Sequence, residues 1–291
     1  MIKNEDLKRG LVAVKTNTGI FLSWRLFKSE VSGFSKTGLT GACFNVLRDG
    51  EVIATVKDST NYLDTDGDEN SRYCVESLCD DDKLEKKILG LNPRAFGKSE
   101  EVTAFKSGDN YIDIPVLRPE GGVTPSGEKF EYTLNDMSVG DVDGDGEYEY
   151  IVKWDPTNSH DVSIKGYTGR CILDCYRLNG ELLWRLDMGP NIRAGAHYTQ
   201  FMVYDFDGDG KAEMAVKTAP GTKITRFSGG KEESTEYITL PPRDVKKGVT
   251  NEDSYVASAS DYRDHLVEMF MGWSGHPEVK NGNWPGTLEE C

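Results

Sequence analysis

One carboxylate-rich turn, written twice, constrains this chain more than any other stretch. The first copy reads Ser138-Val-Gly-Asp-Val-Asp-Gly-Asp-Gly-Glu-Tyr-Glu-Tyr-Ile-Val-Lys-Trp-Asp-Pro156, and the second reads Met202-Val-Tyr-Asp-Phe-Asp-Gly-Asp-Gly-Lys-Ala-Glu-Met-Ala-Val-Lys-Thr-Ala-Pro220. Both follow D-x-D-G-D-G-x-x-E, with Asp141, Asp143, Asp145 and Glu149 in one and Asp205, Asp207, Asp209 and Glu213 in the other. Hard oxygen donors at alternate positions, with glycine where the backbone must turn sharply, suit a calcium ion that collects six or more oxygens. Glu147 and Lys211 occupy the seventh place of their loops and belong to the same candidate metal set. An EF-hand would close with a bidentate Glu at the twelfth position and carry a helix on each side. Here the closing Glu is ninth and the flanks alternate like strands, so each copy is expected to be a β-hairpin clamped by calcium. An Asp-Gly turn without metal is the simpler alternative. Three aspartates within five residues would repel one another in it, which favours the cation. The ions are expected to staple the sheet and not to carry the chemistry.

At 291 residues the chain is long enough for two domains. A net charge of -15 argues against nucleic acid as a partner, because phosphate binding needs clustered Lys and Arg. No apolar run approaches the ~20 residues of a membrane span. The amino end, Met1 to Gly10, lacks the apolar core of a signal peptide, so the chain is expected either to stay in the cytoplasm or to have lost a leader. Of the cysteines at 43, 74, 79, 171, 175 and 291, Cys74 and Cys79 could bridge a turn, while Cys171 and Cys175 share one face of a strand. Buried free thiols are the preferred reading, without a zinc site or a disulfide scaffold.

Short alternating strands recur over Leu11–Lys15, Gly19–Arg25, Ala42–Arg48, Val52–Val56 and Ser71–Ser77, with a hairpin turn at Arg48-Asp-Gly-Glu51. With Trp24 central and Tyr73-x-Val75 late, residues 1–85 predict a small β-sandwich of the fibronectin type III kind. Asp64, Asp66 and Asp68 imitate a third acidic turn, but Arg72 stands where the closing carboxylate belongs, so this is read as a plain loop. Residues 86–110 read as a linker with one connecting strand, and the second domain begins at Tyr111. After the first acidic hairpin, Cys171 to Asp187 gives two more strands turning at Asn179-Gly180. Four antiparallel strands before the sequence repeats make one β-propeller blade. Asp205 follows Asp141 by 64 residues, with Lys217 over Lys153 and Pro220 over Pro156. The second unit is expected to lack its outer hairpin and to carry an amphipathic helix, Ser258–Trp273, with Tyr262, Leu266, Met269, Phe270 and Trp273 on one face. An all-β chain with about one and a half blades over 111–291 is therefore expected to be the front of a longer protein.

Gly19-Ile-Phe-Leu-Ser-Trp-Arg, Thr60-Asn-Tyr-Leu-Asp-Thr-Asp, Leu134-Asn-Asp-Met-Ser-Val-Gly-Asp-Val-Asp-Gly-Asp-Gly, Lys153-Trp-Asp-Pro and Arg193-Ala-Gly-Ala-His-Tyr-Thr-Gln-Phe occur in this order. Together they resemble the rhamnogalacturonan lyases of polysaccharide lyase family 11, along essentially the whole chain. The resemblance implies an amino-terminal β-sandwich, a calcium-loaded eight-bladed propeller, and β-elimination at rhamnose-galacturonic acid linkages of pectin. It also implies a chain roughly twice this long, monomeric when complete, whose partner is the polysaccharide rhamnogalacturonan I; endo and exo cleavage both remain open.

The resemblance further implies that Asn135 and Asp155 line the sugar cleft, and an antiparallel hairpin would bring them to one end of a blade. Asp136, five residues before Asp141, is a candidate extra ligand for the first ion. Gln200 matches it in the second copy, so the second site is expected to be the weaker. His197 is a weak catalytic candidate, because it precedes an acidic hairpin where cleft residues occur; a hydrogen-bonded structural histidine is the plainer alternative. His160, His265 and His276 have no motif around them, and Lys153 and Lys217 point to a shared structural role. Pro220 departs from the family, which more often has aspartate there. The proton-abstracting residues are expected in later blades. A non-catalytic, calcium-stabilised propeller that binds carbohydrate or protein is the alternative reading.

Overall fold

The computed structural model describes residues 5–36, 38–57, 59–78, 97–105, 111–161, 164, 166–195, 199–255, 264 and 266–290. Strand is the dominant element as far as Tyr237, and short helical segments follow. No helix among the described residues is long and apolar enough to cross a membrane.

Apart from the small hairpin of Gly33–Ser35 with Gly38–Thr40, the amino-terminal strands form two antiparallel sheets. Val12–Thr16, Gly19–Ser23 and Asn61–Asp64 pair in that order in one sheet. The other runs Glu51–Val56, Phe44–Arg48, Tyr73–Ser77 and Gly97–Lys98. Period-two alternation turns one face of each inward. Ala13, Ile20, Leu22 and Trp24 from the first side meet Phe44, Val46, Tyr73 and Val75 from the second in one buried cluster. The expected turn at Asp49-Gly50 is present, both residues taking positive φ (52° and 89°) as a type I′ hairpin requires.

The connecting strand expected within the linker is present and packs on the first unit. Residues 79–96 lie outside the described residues, but Gly97–Lys98 pairs with Glu76–Ser77, Val102 bridges to Tyr73, and Ala104 is buried in the first core. The first unit therefore extends past residue 100. The Asp64 turn, read as metal-free, is occupied by protein partners: Arg48 contacts both Asp64 oxygens at 2.8 and 3.0 Å, and the Tyr73 hydroxyl donates at 2.8 Å.

The second half is built on a sheet of six strands in the order Tyr132–Gly140, Glu149–Pro156, Ile172–Tyr176, Leu182–Asp187, Lys223–Ser228 and Lys231–Tyr237. The first four follow one another as an antiparallel meander, as the two hairpin signals predict. Ile172–Tyr176 is buried at every position, which puts Cys171 and Cys175 on the interior side of the sheet. Burial pushes the Cys171 thiol up to about 12, so these are inert packing groups.

The second acidic hairpin, Phe201–Tyr204 with Glu213–Val216, is a separate pair. Phe201, Val203, Met214 and Val216 pack on the Cys171–Leu173–Cys175 cluster, leaving Met202 and Tyr204 exposed on the other face. As expected, it gains no outer hairpin of its own among the described residues, but the segment after it forms a hairpin instead of a loop. Lys223–Ser228 and Lys231–Tyr237 extend the outer edge of the first sheet at Leu182–Asp187. Lys231–Tyr237 is exposed along its whole length, so backbone pairing and not apolar burial holds it. Of the amphipathic helix expected over 258–273, Tyr262 lies outside the described residues, and residues 266–271 are helical. The expected apolar face is not buried, since Phe270 is half exposed and stacks on Trp273, which stacks on Trp284.

Candidate metal centre and the opposite sheet end

The two acidic turns stand side by side. Ala212 N donates to Asp141 O at 2.8 Å, and Lys211 Nζ donates to Asp143 O at 2.8 Å. Gly140 makes this approach possible, because a Cβ there would lie 2.6 Å from Ala212 Cβ and 2.7 Å from a Val203 methyl. Within each turn the backbone wraps the leading aspartate. Gly144 N and Gly146 N donate to Asp141, and Gly208 N and Gly210 N donate to Asp205 in the same way. The glycines at 144, 146, 208 and 210 all take positive φ, which the tight wrap requires.

The carboxylates converge as a cation demands. Oxygens of Asp141, Asp143 and Glu149 lie within 4.8 Å of one another, and so do those of Asp205, Asp207, Asp209 and Glu213. Asp141 and Glu149 are buried. Burial, assisted by the neighbouring aspartates, raises the Asp141 carboxyl and pushes Glu149 up to about 7. A fold that buries carboxylates against each other is the chemistry of a hard-cation cradle. Arg177 meets part of this charge at the first turn, with Nη2 at 2.6 Å from Asp143.

An unforeseen contributor is the amino-terminal segment. Glu5 accepts from Asp141 N at 2.9 Å, and Lys8 N donates to Gly146 O at 2.8 Å. Burial, with the charges of Asp141 and Asp205, raises the Glu5 carboxyl. The Arg25 guanidinium lies 4.4 Å from the Tyr148 ring centre. No spacing in the sequence marks these long-range contacts.

Several expected members of the metal set are placed elsewhere. Asp136 faces Lys153 at 3.7 Å. It precedes Asp141 by five residues, about 16 Å along an extended strand at roughly 3.3 Å per residue, so it cannot reach the first turn. Asp145 is not among the converging oxygens; it accepts from Glu147 N at 2.7 Å. The Glu147 side chain pairs with Lys8 at 3.4 Å, and the Lys211 side chain crosses to Asp143 O. With four converging carboxylates against three, the second turn is not the poorer one. Asp136→Ala is expected to leave calcium titration of the first turn unchanged, whereas Asp205→Ala should abolish binding at the second; isothermal titration of both variants checks this.

The other end of the sheet collects the remaining candidates. Pairing of Thr133 with Asp155 puts Asn135 and Asp155 at the end remote from the acidic turn, as expected. Asn135 is exposed, and a bulge between Leu134 and Met137 frees it from the ladder. Asp155 is 5% exposed, and its Oδ1 lacks a hydrogen-bond partner among the described residues. Buried Lys153 lies 3.6 Å from that oxygen. Burial raises the Asp155 carboxyl, and the Lys153 charge opposes the shift. Lys217, the counterpart of Lys153, is exposed, so the two lysines do not share a role. His197 lies outside the described residues.

Comparison with known proteins matches this arrangement along most of the chain. Residues 111–239 match the model described as rhamnogalacturonan lyase family 11, C-terminal domain, and residues 2–88 match the rhamnogalacturonan I lyases beta-sheet domain. Rhamnogalacturonan endolyase YesW of Bacillus subtilis (strain 168) is 50% identical over 221 residues, 75% of this chain and 32% of the relative. Rhamnogalacturonan exolyase YesX of the same organism is 48% identical over 220 residues, again 75% of this chain and 32% of the relative. The solved structure of Bacillus licheniformis rhamnogalacturonan lyase PL11 superposes with a TM-score of 0.63 at 41% identity, covering 87% of this chain and 44% of that one. The matched region is thus about a third of the length of the curated relatives.

Proposed function

Because the chain belongs to rhamnogalacturonan lyase family 11, we propose that it serves the calcium-dependent β-elimination of rhamnose-galacturonic acid linkages in rhamnogalacturonan I. The observation that carries this reading is the division of the central sheet into an end where acidic turns converge and an opposite end to which pairing brings Asp155 and Asn135. Between Glu149 and Asp155 lie six residue steps, roughly 20 Å at about 3.3 Å per residue. Calcium held by Asp141, Asp143 and Glu149, or by Asp205, Asp207, Asp209 and Glu213, would supply the attraction that offsets carboxylate repulsion and fixes the hairpins.

β-Elimination needs the uronate carboxylate neutralised, the C5 proton removed and the leaving oxygen protonated. This chain's part is to hold the sugar. In this reading a sugar hydroxyl donates to the Asp155 oxygen that lacks a hydrogen-bond partner among the described residues, and the Lys153 charge at 3.6 Å opposes the burial that raises this carboxyl. Asn135, freed by its bulge, adds a donor and an acceptor at the same sheet end. In this reading the meander from Tyr132 to Asp187 is one blade of a propeller, and the three- and four-stranded sheets form a fibronectin type III-like sandwich.

Replacing the matching segment of YesW by residues 2–239 of this chain tests the proposal. The chimera is expected to release products carrying the ultraviolet-absorbing double bond from rhamnogalacturonan I, and Asp155→Ala within it should raise KM by about tenfold or more. A folded, calcium-loaded chimera that releases none would overturn the reading.

A further inference from the structure

A cavity of about 410 Å³ opens at the same sheet end as Asp155, and its walls hold two arginines, Arg170 and Arg193, and two tyrosines, Tyr167 and Tyr255. Arg170 directly precedes the strand Ile172–Tyr176, and Arg193 follows the strand Leu182–Asp187; the two arginines face each other in an isolated bridge. Backbone completes the wall at Gly169 and Gly189. A Cβ at 169 would lie 2.6 Å from Phe130 and Pro156, and one at 189 would lie 2.5 Å from Gly221 O.

The cavity is built and not incidental. Asn191 donates to Pro220 O at 2.8 Å and to Asp253 O at 2.7 Å, and its Oδ1 accepts from Tyr255 N at 2.6 Å. One side chain thus ties three loops together and holds Tyr255 at the rim, 44% exposed. The guanidinium groups are under-supplied with acceptors. Arg170 pairs with Asp187 at 2.8 Å and keeps half of its side chain in solvent. Arg193 donates from Nη2 to Ile164 O, while its Nε is buried without a partner among the described residues. Two other arginines of this acidic chain are met by buried carboxylates, Arg9 by Glu30 and Arg185 by Asp174. Spare guanidinium donors beside aromatic rings select a planar carboxylate carried on a ring with apolar faces.

We propose that this cavity binds one hexuronate residue of the polysaccharide, its carboxylate held by Arg193 and Arg170 and its ring faced by Tyr255 and Tyr167. The inference rests on the substrate class proposed above and adds a subsite distinct from Asn135 and Asp155. Neutral sugars lack the group that the arginines require.

The 291-residue chain, with calcium present, is titrated with D-galacturonate and with D-galactose and followed by ligand-observed NMR. Galacturonate is expected to bind about tenfold or more tightly than galactose. Arg193→Ala should weaken galacturonate binding about tenfold, and Arg193→Lys should recover part of it by restoring charge without the fork. Tyr255→Ala should weaken both sugars. If Arg193→Ala does not fold, Arg170→Gln and Tyr255→Ala, both at exposed side chains, carry the test. Equal binding of the two sugars, or galacturonate binding indifferent to every arginine variant, would overturn the site. Arginine-dependent galacturonate binding together with a product-free chimera would instead overturn the lyase reading and leave this site standing.

Discussion

The metal-free chain is expected to lose about 2 kcal/mol of stability between pH 5 and pH 7.5, a loss that saturating calcium removes. The cause is Glu149, buried at 1% exposure beside Asp141 and Asp143, with its carboxyl pushed up to about 7 from an ordinary 4.5 by burial first and by those neighbours second. A carboxyl whose folded value is raised binds its proton more tightly in the folded state than in the unfolded chain. Its contribution is intact below the ordinary value and is lost as pH rises through the window from 4.5 to about 7. Asp141, shifted the same way by burial, adds to the effect. Calorimetry at the two pH values, with chelator and with calcium, should show the midpoint falling by roughly 4–8 °C only in the chelated sample. Parallel pH profiles in both samples would mean that the buried carboxylates are not where the cation acts.

Asp174→Ala is expected to cost about 3–5 kcal/mol, the largest effect of any single side chain in the second core. Asp174 is fully buried and accepts from Trp154 Nε1 at 2.8 Å, from the Tyr176 hydroxyl at 2.8 Å, and from Arg185 Nε and Nη2 at 2.8 and 2.7 Å. Alanine would strand the Trp154 indole, remove both carboxylate contacts of Arg185 and leave the Tyr176 hydroxyl to donate only over its longer bond to Leu117 O at 3.3 Å. Asp174→Asn keeps an acceptor but not the charge, and should cost about half as much. Urea unfolding reads both; a loss under about 1 kcal/mol for the alanine variant would show that Arg185 finds adequate compensation at Leu117 O, which it already reaches at 2.7 Å.

The acidic hairpins and their neighbours were legible in the sequence because each rests on local chemistry. Asp-Gly and Asn-Gly fix the turns, period-two alternation fixes the faces, and carboxylates at fixed spacing converge into clusters that could hold a cation. The hairpin Lys223–Ser228 with Lys231–Tyr237 was not legible, since Lys-Glu-Glu-Ser-Thr-Glu-Tyr has no apolar alternation and is recruited through the edge of a neighbouring strand. Asp136 misled through its sequence proximity to Asp141, which an extended strand turns into distance. Asp155 and Asn135 were brought to one end by pairing, as antiparallel geometry requires. Glu5 at the first turn and Asn191 beneath Tyr255 act across long sequence separations that no periodicity encodes.

The close approach of Gly140 to Ala212 and Val203 has a consequence for how this duplicated passage can change over time. Two repeats that merely resembled each other could drift apart freely. These two are in contact where the strands enter the turns, so a methyl gained at 140 requires space opened at both 203 and 212. Substitutions accepted on one side are therefore conditional on the other, and the pair inherits its mutations jointly.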